Sequence, residues 1–185
     1  MTASIARVSR IVAAAVVLAA LPCLPSRADQ FQPSGEVRGY PSGAIVSGAL
    51  GKSFGDNWYG ALHGAWNFVD RGNNGKFDNE EGGGFGIGGT VDKYFEPRQN
   101  GWFLGARAEL FFLNIDYRDP GVRGSSDITV FQPTARAGYG WTFGDGHYGL
   151  TAALSLGAEI NVDTAGADVG EGAIVLGGLA FTFKP

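Results

Sequence analysis

The amino-acid sequence predicts an all-β protein, an eight-stranded antiparallel up-and-down transmembrane β-barrel. Apolar side chains recur at every second position in seven separate segments, which is typical of strands with one apolar face. The connections between these segments alternate between short turns and longer polar loops. Glycine supplies 31 of the 185 residues, a composition that opposes helix and suits closely packed strands.

Residues 1–28 have the features of a secretory signal peptide. Two arginines precede an apolar run, Ile11 to Leu21, that is too short to span a membrane as a helix. Ser26-Arg27-Ala28 then supplies small residues at the positions that signal peptidase requires, which predicts cleavage before Asp29. Residues 29–185 are expected to form a single domain, the barrel.

The composition of the predicted mature chain excludes several classes of function. Without the three arginines of the leader, 11 basic residues stand against 18 acidic ones, and the net charge of −7 disfavours nucleic acid as a partner. The single cysteine, Cys23, lies in the leader, where the preceding Pro22 disfavours lipid attachment. The mature chain therefore has neither a disulfide nor a cysteine metal site.

The stretch Gly101 to Asp116 shows the two-faced pattern most fully. One face is apolar throughout, with Trp102, Leu104, Ala106, Ala108, Leu110 and Phe112. The opposite face carries Arg107 and Glu109 in its middle. At about 3.4 Å per residue, the apolar face covers most of the hydrocarbon depth of a bilayer when the strand is tilted. We expect this face to contact lipid and the two charges to point into the barrel.

Six further segments alternate in the same way. Their apolar faces lie within 44–50, 58–68, 85–91, 131–143, 148–160 and 175–183. The short connections are 55–57, 96–100 and 144–147, and the long ones are 70–83, 117–126 and 161–170. Outer-membrane barrels have short periplasmic turns, longer external loops and an even number of strands. A first strand is therefore expected within Gln30 to Gly39.

Aromatic side chains are placed near both ends of these strands, as expected at two lipid–water interfaces. The group near the short turns or the C-terminus comprises Phe54, Trp58, Tyr59, Tyr94, Phe95, Trp102, Phe103, Trp141, Phe143, Tyr148 and Phe183. The group near the long loops comprises Trp66, Phe68, Phe85, Phe111, Phe112 and Phe131. Two aromatic girdles are predicted.

The last strand carries aromatics at alternate positions, Phe181 and Phe183. In this feature and in its strand pattern, the chain from Gln30 to Phe183 resembles the small eight-stranded outer-membrane barrels of the OmpX type and the membrane domain of OmpA. In that family the final aromatics are an assembly signal and usually end the chain, whereas here Lys184 and Pro185 follow. The resemblance implies a monomer in the lipid of a bacterial outer membrane, with a role in envelope integrity or in contacts of its external loops with surface partners.

Charged residues on the inner faces are the first candidate site. Arg107, Glu109, Arg136 and Glu159 would share the lumen with His63 and Asp92. Because buried charges need partners, we expect an Arg/Glu network that plugs the lumen. A gated path through the same side chains is the alternative, and it would make the protein a small-solute or ion channel.

The segment Asp70 to Glu81 is the second candidate site, since it looks like the twelve-residue calcium loop of EF-hands. The ligands would be Asp70, Asn74, the Lys76 carbonyl, Asp78 and Glu81, with Gly75 at the sharp turn. Gly72 occupies a position where the EF-hand has a ligand, and strands flank the segment. An acidic hairpin loop without bound calcium is the alternative.

No catalytic constellation is recognisable. Neither histidine, His63 or His147, has a serine near it in sequence, so neither enzymatic activity nor an organic cofactor is expected. A soluble lipocalin-like ligand-binding barrel is a further alternative, because it also alternates apolar and polar faces. It would require the charged faces outside and the apolar face Leu150 to Ile160 inside.

Overall fold

A computed structural model describes residues 31–55, 57–72, 76–167, 169–170 and 172–185. The predicted signal peptide, residues 1–28, lies outside the described residues. Within the described part, eight strands form one closed antiparallel barrel, with β8 paired to β1. The strands are β1 (Gln32–Tyr40), β2 (Gly43–Phe54), β3 (Trp58–Gly72), β4 (Glu80–Tyr94), β5 (Gly101–Asp119), β6 (Val122–Phe143), β7 (Tyr148–Ala165) and β8 (Gly172–Phe183). The predicted fold class is confirmed.

The period of two determines which side chains face the lumen. Along β5, Trp102 and Leu104 are exposed on the outside, whereas Arg107 and Glu109 are buried inside. Along β7, the outward Leu154 and Leu156 are also exposed. This assignment contradicts the lipocalin-like alternative, which needed the charges outside and the β7 leucines inside.

The strands extend into all three of the predicted long loops, and 117–126 is largely strand. β5 and β6 remain paired up to Asp119 and Val122, so the connection between them is the turn Pro120-Gly121. β3 reaches Gly72 and β4 begins at Glu80. Backbone hydrogen bonds between neighbouring strands do not need apolar side chains, and the hairpins therefore continue past the apolar band.

The interior contains apolar side chains as well as the charged residues that were expected there. A buried cluster lies inside the barrel, formed by Ile45, Ala65, Val69, Phe111, Leu113, Ile115, Ile128, Val130, Val169, Ile174 and Leu176. A second, aromatic cluster is formed by Tyr59, Tyr94 and Phe103. The prediction that Tyr59, Tyr94, Phe103 and Phe111 belong to the outer girdles is wrong, because their places in the alternation turn them inward.

The other predicted girdle residues lie on the outer surface of the barrel. Phe54, Trp58, Trp102, Trp141 and Phe143 are among the exposed aromatics at the short-turn end, which also holds a 3₁₀ turn at Pro97–Gln99. In the part of the chain that the structure describes, no helix is long and apolar enough to cross a membrane.

Candidate functional site

The centre of the lumen is crossed by charge pairs between β1 and β5, which lie four strands apart in the ring of eight. Both terminal nitrogens of Arg38 donate to the carboxylate of Glu109, each at 2.5 Å. Arg38 is 2% exposed and Glu109 is 1% exposed. A bidentate pair of this kind fixes both geometry and charge, and here it spans the lumen from wall to wall.

A second pair lies beside the first and has the opposite polarity. Glu36 on β1 accepts from Nη2 of Arg107 on β5 at 2.6 Å. Nε of Arg107 also donates to the hydroxyl of Thr90 on β4 at 2.8 Å. β1 and β5 run in the same direction, so Glu36 opposes Arg107 and Arg38 opposes Glu109.

Three further side chains extend this charged centre around the wall. Nε2 of His63 on β3 lies 2.9 Å from Glu109. Arg136 on β6 lies 3.5 Å from Asp92 on β4 and 3.8 Å from Glu36. The centre is thus composed of three arginines and three carboxylates, with His63 at its edge. We call Glu36, Arg38, His63, Asp92, Arg107, Glu109 and Arg136 the central network.

A small cavity of about 40 Å³ adjoins the central network. Its wall includes Glu36, Asp92 and Arg136 together with the inward tyrosines Tyr59 and Tyr94. Oδ1 of Asp92 and Nε of Arg136 face each other at ion-pair distance, and neither makes a hydrogen bond within the described structure. The space is large enough to hold bound water.

Glu159 belongs to a separate cluster. Arg71 on β3 donates to Glu80 on β4 and to Glu159 on β7, each at 3.1 Å. Gln132 on β6 donates to the other oxygen of Glu159 at 3.3 Å. Arg71 and Glu80 flank the connection between β3 and β4, so this cluster lies towards the end of the barrel with the β3–β4 and β5–β6 hairpins.

The predicted lumen residues are therefore only partly brought together. The structure places Arg107, Glu109 and Arg136 in the central network, and it places Glu159 with Arg71 instead. Four charged residues were missed: Glu36, Arg38, Arg71 and Glu80. Each occupies an inward position of a strand, so the period of two, applied to every charge in the sequence, is the signal that could have found them.

The predicted calcium segment occupies the hairpin between β3 and β4. Asp70 and Glu81 are direct partners across the two strands, and the backbone nitrogen of Asp78 donates to a carboxylate oxygen of Asp119 at 2.7 Å. Asn74 and Gly75 lie outside the described residues, and Lys76 is the first described residue after them. Among the described residues no group of three or more His, Cys, Asp and Glu side chains is placed to hold a metal ion. The calcium site stays a prediction.

The chain is similar to known proteins in architecture only. No protein-family model and no curated protein sequence matches the chain. The crystal structure of Neisserial surface protein A (NspA) is similar, with 14% identity, a TM-score of 0.58, and coverage of 88% of this chain and 100% of that one. The N-terminal β-barrel domain of Pseudomonas aeruginosa OprF matches with 15% identity and a TM-score of 0.49, over 83% of this chain and 96% of that domain. The predicted resemblance to small eight-stranded outer-membrane barrels is confirmed at the level of architecture.

Proposed function

We propose that this protein is a non-enzymatic barrel of a bacterial outer membrane, with a closed lumen and with external hairpins that carry its contacts at the cell surface. The observation that carries the proposal is the pair of ion pairs across the lumen, Arg38 with Glu109 and Glu36 with Arg107. Side chains that bridge opposite walls occupy the space through which a solute would pass.

The outer surface supports a membrane location. Apolar side chains such as Leu62, Leu104 and Leu156 are more than half exposed, and they alternate with buried polar positions. An exposed apolar belt of this extent is costly in water and is the expected surface of a barrel in lipid. Membrane fractionation with a heat-modifiability gel tests the location, and a protein that remains soluble without detergent would overturn it.

Conductance across planar bilayers tests the closed lumen. We expect almost no conductance from the wild-type protein and from Arg107→Ala, because the apolar interior cluster around Phe111 and Leu176 fills a further part of the lumen. Arg118→Ala, on an exposed position of the β5–β6 hairpin, is the matched control. Discrete wild-type current steps that change in Arg107→Ala and not in Arg118→Ala would favour the ion-channel alternative instead.

A further inference from the structure

The turn Pro97–Gln99 connects β4 with β5 at the end of the barrel that carries the short connections, and none of its three residues is buried. Arg98 and Gln99 have φ angles of 63° and 57°, in the left-handed region that residues other than glycine rarely adopt. Two consecutive residues in this region are strained. Such strain persists only where surrounding contacts hold the chain in place.

Gln99 reaches across the mouth of the lumen at this end. Its side-chain nitrogen donates to the side-chain carbonyl of Gln32 on β1 at 2.8 Å and to the hydroxyl of Ser53 on β2 at 2.6 Å. Its backbone carbonyl lies against β6, where a Cβ atom on Gly140 would be only 2.7 Å from the oxygen. β2 and β6 are four strands apart in the ring of eight, so this one residue spans the mouth from wall to wall.

The end of the chain also holds the turn. Lys184 is one of the two residues that follow the last aromatic of β8, and its ammonium donates to the Arg98 carbonyl at 3.0 Å. The same ammonium donates to the hydroxyl of Thr142 on β6 at 2.9 Å. The backbone nitrogen of Thr142 donates to the side chain of Asn100 at 3.3 Å. Hydrogen bonds at several strand ends therefore fasten the turn, without burial of its own side chains.

The small cavity beside the central network lies behind Gln99. Gln99 is part of its wall, together with Ser34, Thr182 and the charged pair of Asp92 and Arg136. Because Gln99 spans the mouth, it lies between this pair and the short-turn end of the barrel. Oδ1 of Asp92 and Nε of Arg136 have hydrogen-bonding capacity left over within the described structure. A polar space of this kind suits water and small polar solutes.

We propose that the turn Pro97–Gln99 is a lid on the short-turn mouth of the lumen, and that its opening admits water and small polar solutes to the cavity beside Asp92. The inference rests on the proposed outer-membrane location, which makes this end periplasmic, and it adds a gated pocket to the closed lumen. Strain in the turn favours opening and its hydrogen bonds favour closure, so only a local segment has to move. The central network stays in place, and the open lid leads to a pocket instead of a channel.

A single cysteine in the cavity wall reports on the lid, because the predicted mature chain has no cysteine of its own. The reporter is Thr182→Cys, at a position that is 7% exposed and lines the cavity. Mass spectrometry follows its labelling by aminoethyl methanethiosulfonate, a small cationic thiol reagent, on the folded barrel in detergent micelles. Labelling should be at least about tenfold slower than that of an exposed thiol at Arg118→Cys, because the lid must open first.

Variants of the turn should change this rate in opposite directions. Gln99→Ala removes the side-chain hydrogen bonds and keeps the strained backbone, so it should label Thr182→Cys at least about tenfold faster. Arg98→Gly relieves strain and keeps the carbonyl that accepts from Lys184, so it should slow labelling about threefold. Asp145→Gly is the matched control, since Asp145 is a left-handed residue with a φ of 56° in the turn between β6 and β7, and the rate should not change.

A second reporter distinguishes opening of the lid from unfolding of the barrel. Ala65→Cys lies in the buried apolar cluster, and its labelling should stay slow when Gln99→Ala is introduced. An equal acceleration at both reporters would overturn the lid, because it would mean that the whole barrel opens. The heat-modifiability gel verifies that each variant is folded.

Three further results would overturn the lid. These are labelling of Thr182→Cys as fast as that of the exposed thiol, an unchanged rate in Gln99→Ala, or a rate in Arg98→Gly that is no slower than in Asp145→Gly. The labelling is measured in detergent and does not depend on the membrane location. Failure of that location would appear in the fractionation experiment instead.

Discussion

Replacing Glu109 by glutamine removes the counter-charge of Arg38 while it preserves the shape of the side chain. Arg38 would keep one carboxylate partner, Glu36, whose oxygen lies 3.6 Å from its Nε, in a site that is 2% exposed. Removing one partner of a buried ion pair costs about 3–5 kcal/mol, because the remaining charge stays buried. The contact with Glu36 offsets part of this cost, so we expect a loss of about 3 kcal/mol in the free energy of unfolding.

Urea unfolding of the barrel in lipid vesicles, followed by tryptophan fluorescence, measures this loss. All four tryptophans lie on the outer face and therefore report on the transfer from lipid to water. With a denaturant slope of about 2 kcal/mol/M, the unfolding midpoint should fall by about 1.5 M urea. Asp116→Asn, at an exposed position of the same strand, is the control and should shift stability by less than about 0.5 kcal/mol.

The double variant Arg38→Gln/Glu109→Gln tests whether the loss of stability comes from leaving one charge buried without its partner. If the two charges interact as the structure shows, the double variant should be more stable than Glu109→Gln by about 1 kcal/mol or more, because no charge is then left without its partner. Strict additivity of the two single changes, or a Glu109→Gln loss no larger than that of Asp116→Asn, would refute the paired centre.

The remaining predictions concern the apolar interior and the hairpin between β3 and β4. Phe111→Ala should cost about 3–5 kcal/mol in the same urea assay, because its ring is fully buried among apolar side chains. The neighbouring Phe112→Ala, at a half-exposed outward position, should cost clearly less, and equal losses would contradict the inward cluster. Titration calorimetry with calcium should show binding heat that Asp70→Asn reduces, and the absence of heat at millimolar calcium would reject the predicted calcium site.

The alternation of side chains predicted the strands well because it follows directly from backbone geometry. Seven strands were identified from their apolar faces, and the eighth was located within Gln30 to Gly39 by the even strand number. The ends of the hairpins could not be predicted in this way. Beyond the apolar band, as at Tyr117 and Gly124, polar residues and glycine look like a loop although the strand pairing continues.

The apolar part of the interior was missed for a related reason. Ile45, Phe111 and Leu176 all occupy inward positions, so their direction was available from the alternation. In these segments both faces are apolar, and the pattern alone does not say which apolar face meets lipid and which fills the lumen. The two apolar faces become distinct only when the barrel closes, because closure gives every inward side chain neighbours from several strands.

The two ion pairs between β1 and β5 in the central network follow from the sequence once the strands are counted. In an eight-stranded barrel with alternating directions, β1 and β5 are opposite each other and run the same way. Glu36-Val37-Arg38 and Arg107-Ala108-Glu109 carry complementary charges at the same spacing, so their side chains meet as two ion pairs across the lumen. Pro33 and Gly35 weaken the strand pattern of β1, which concealed its charges. Strand count and direction therefore predict partners that are 71 residues apart, once every strand has been recognised.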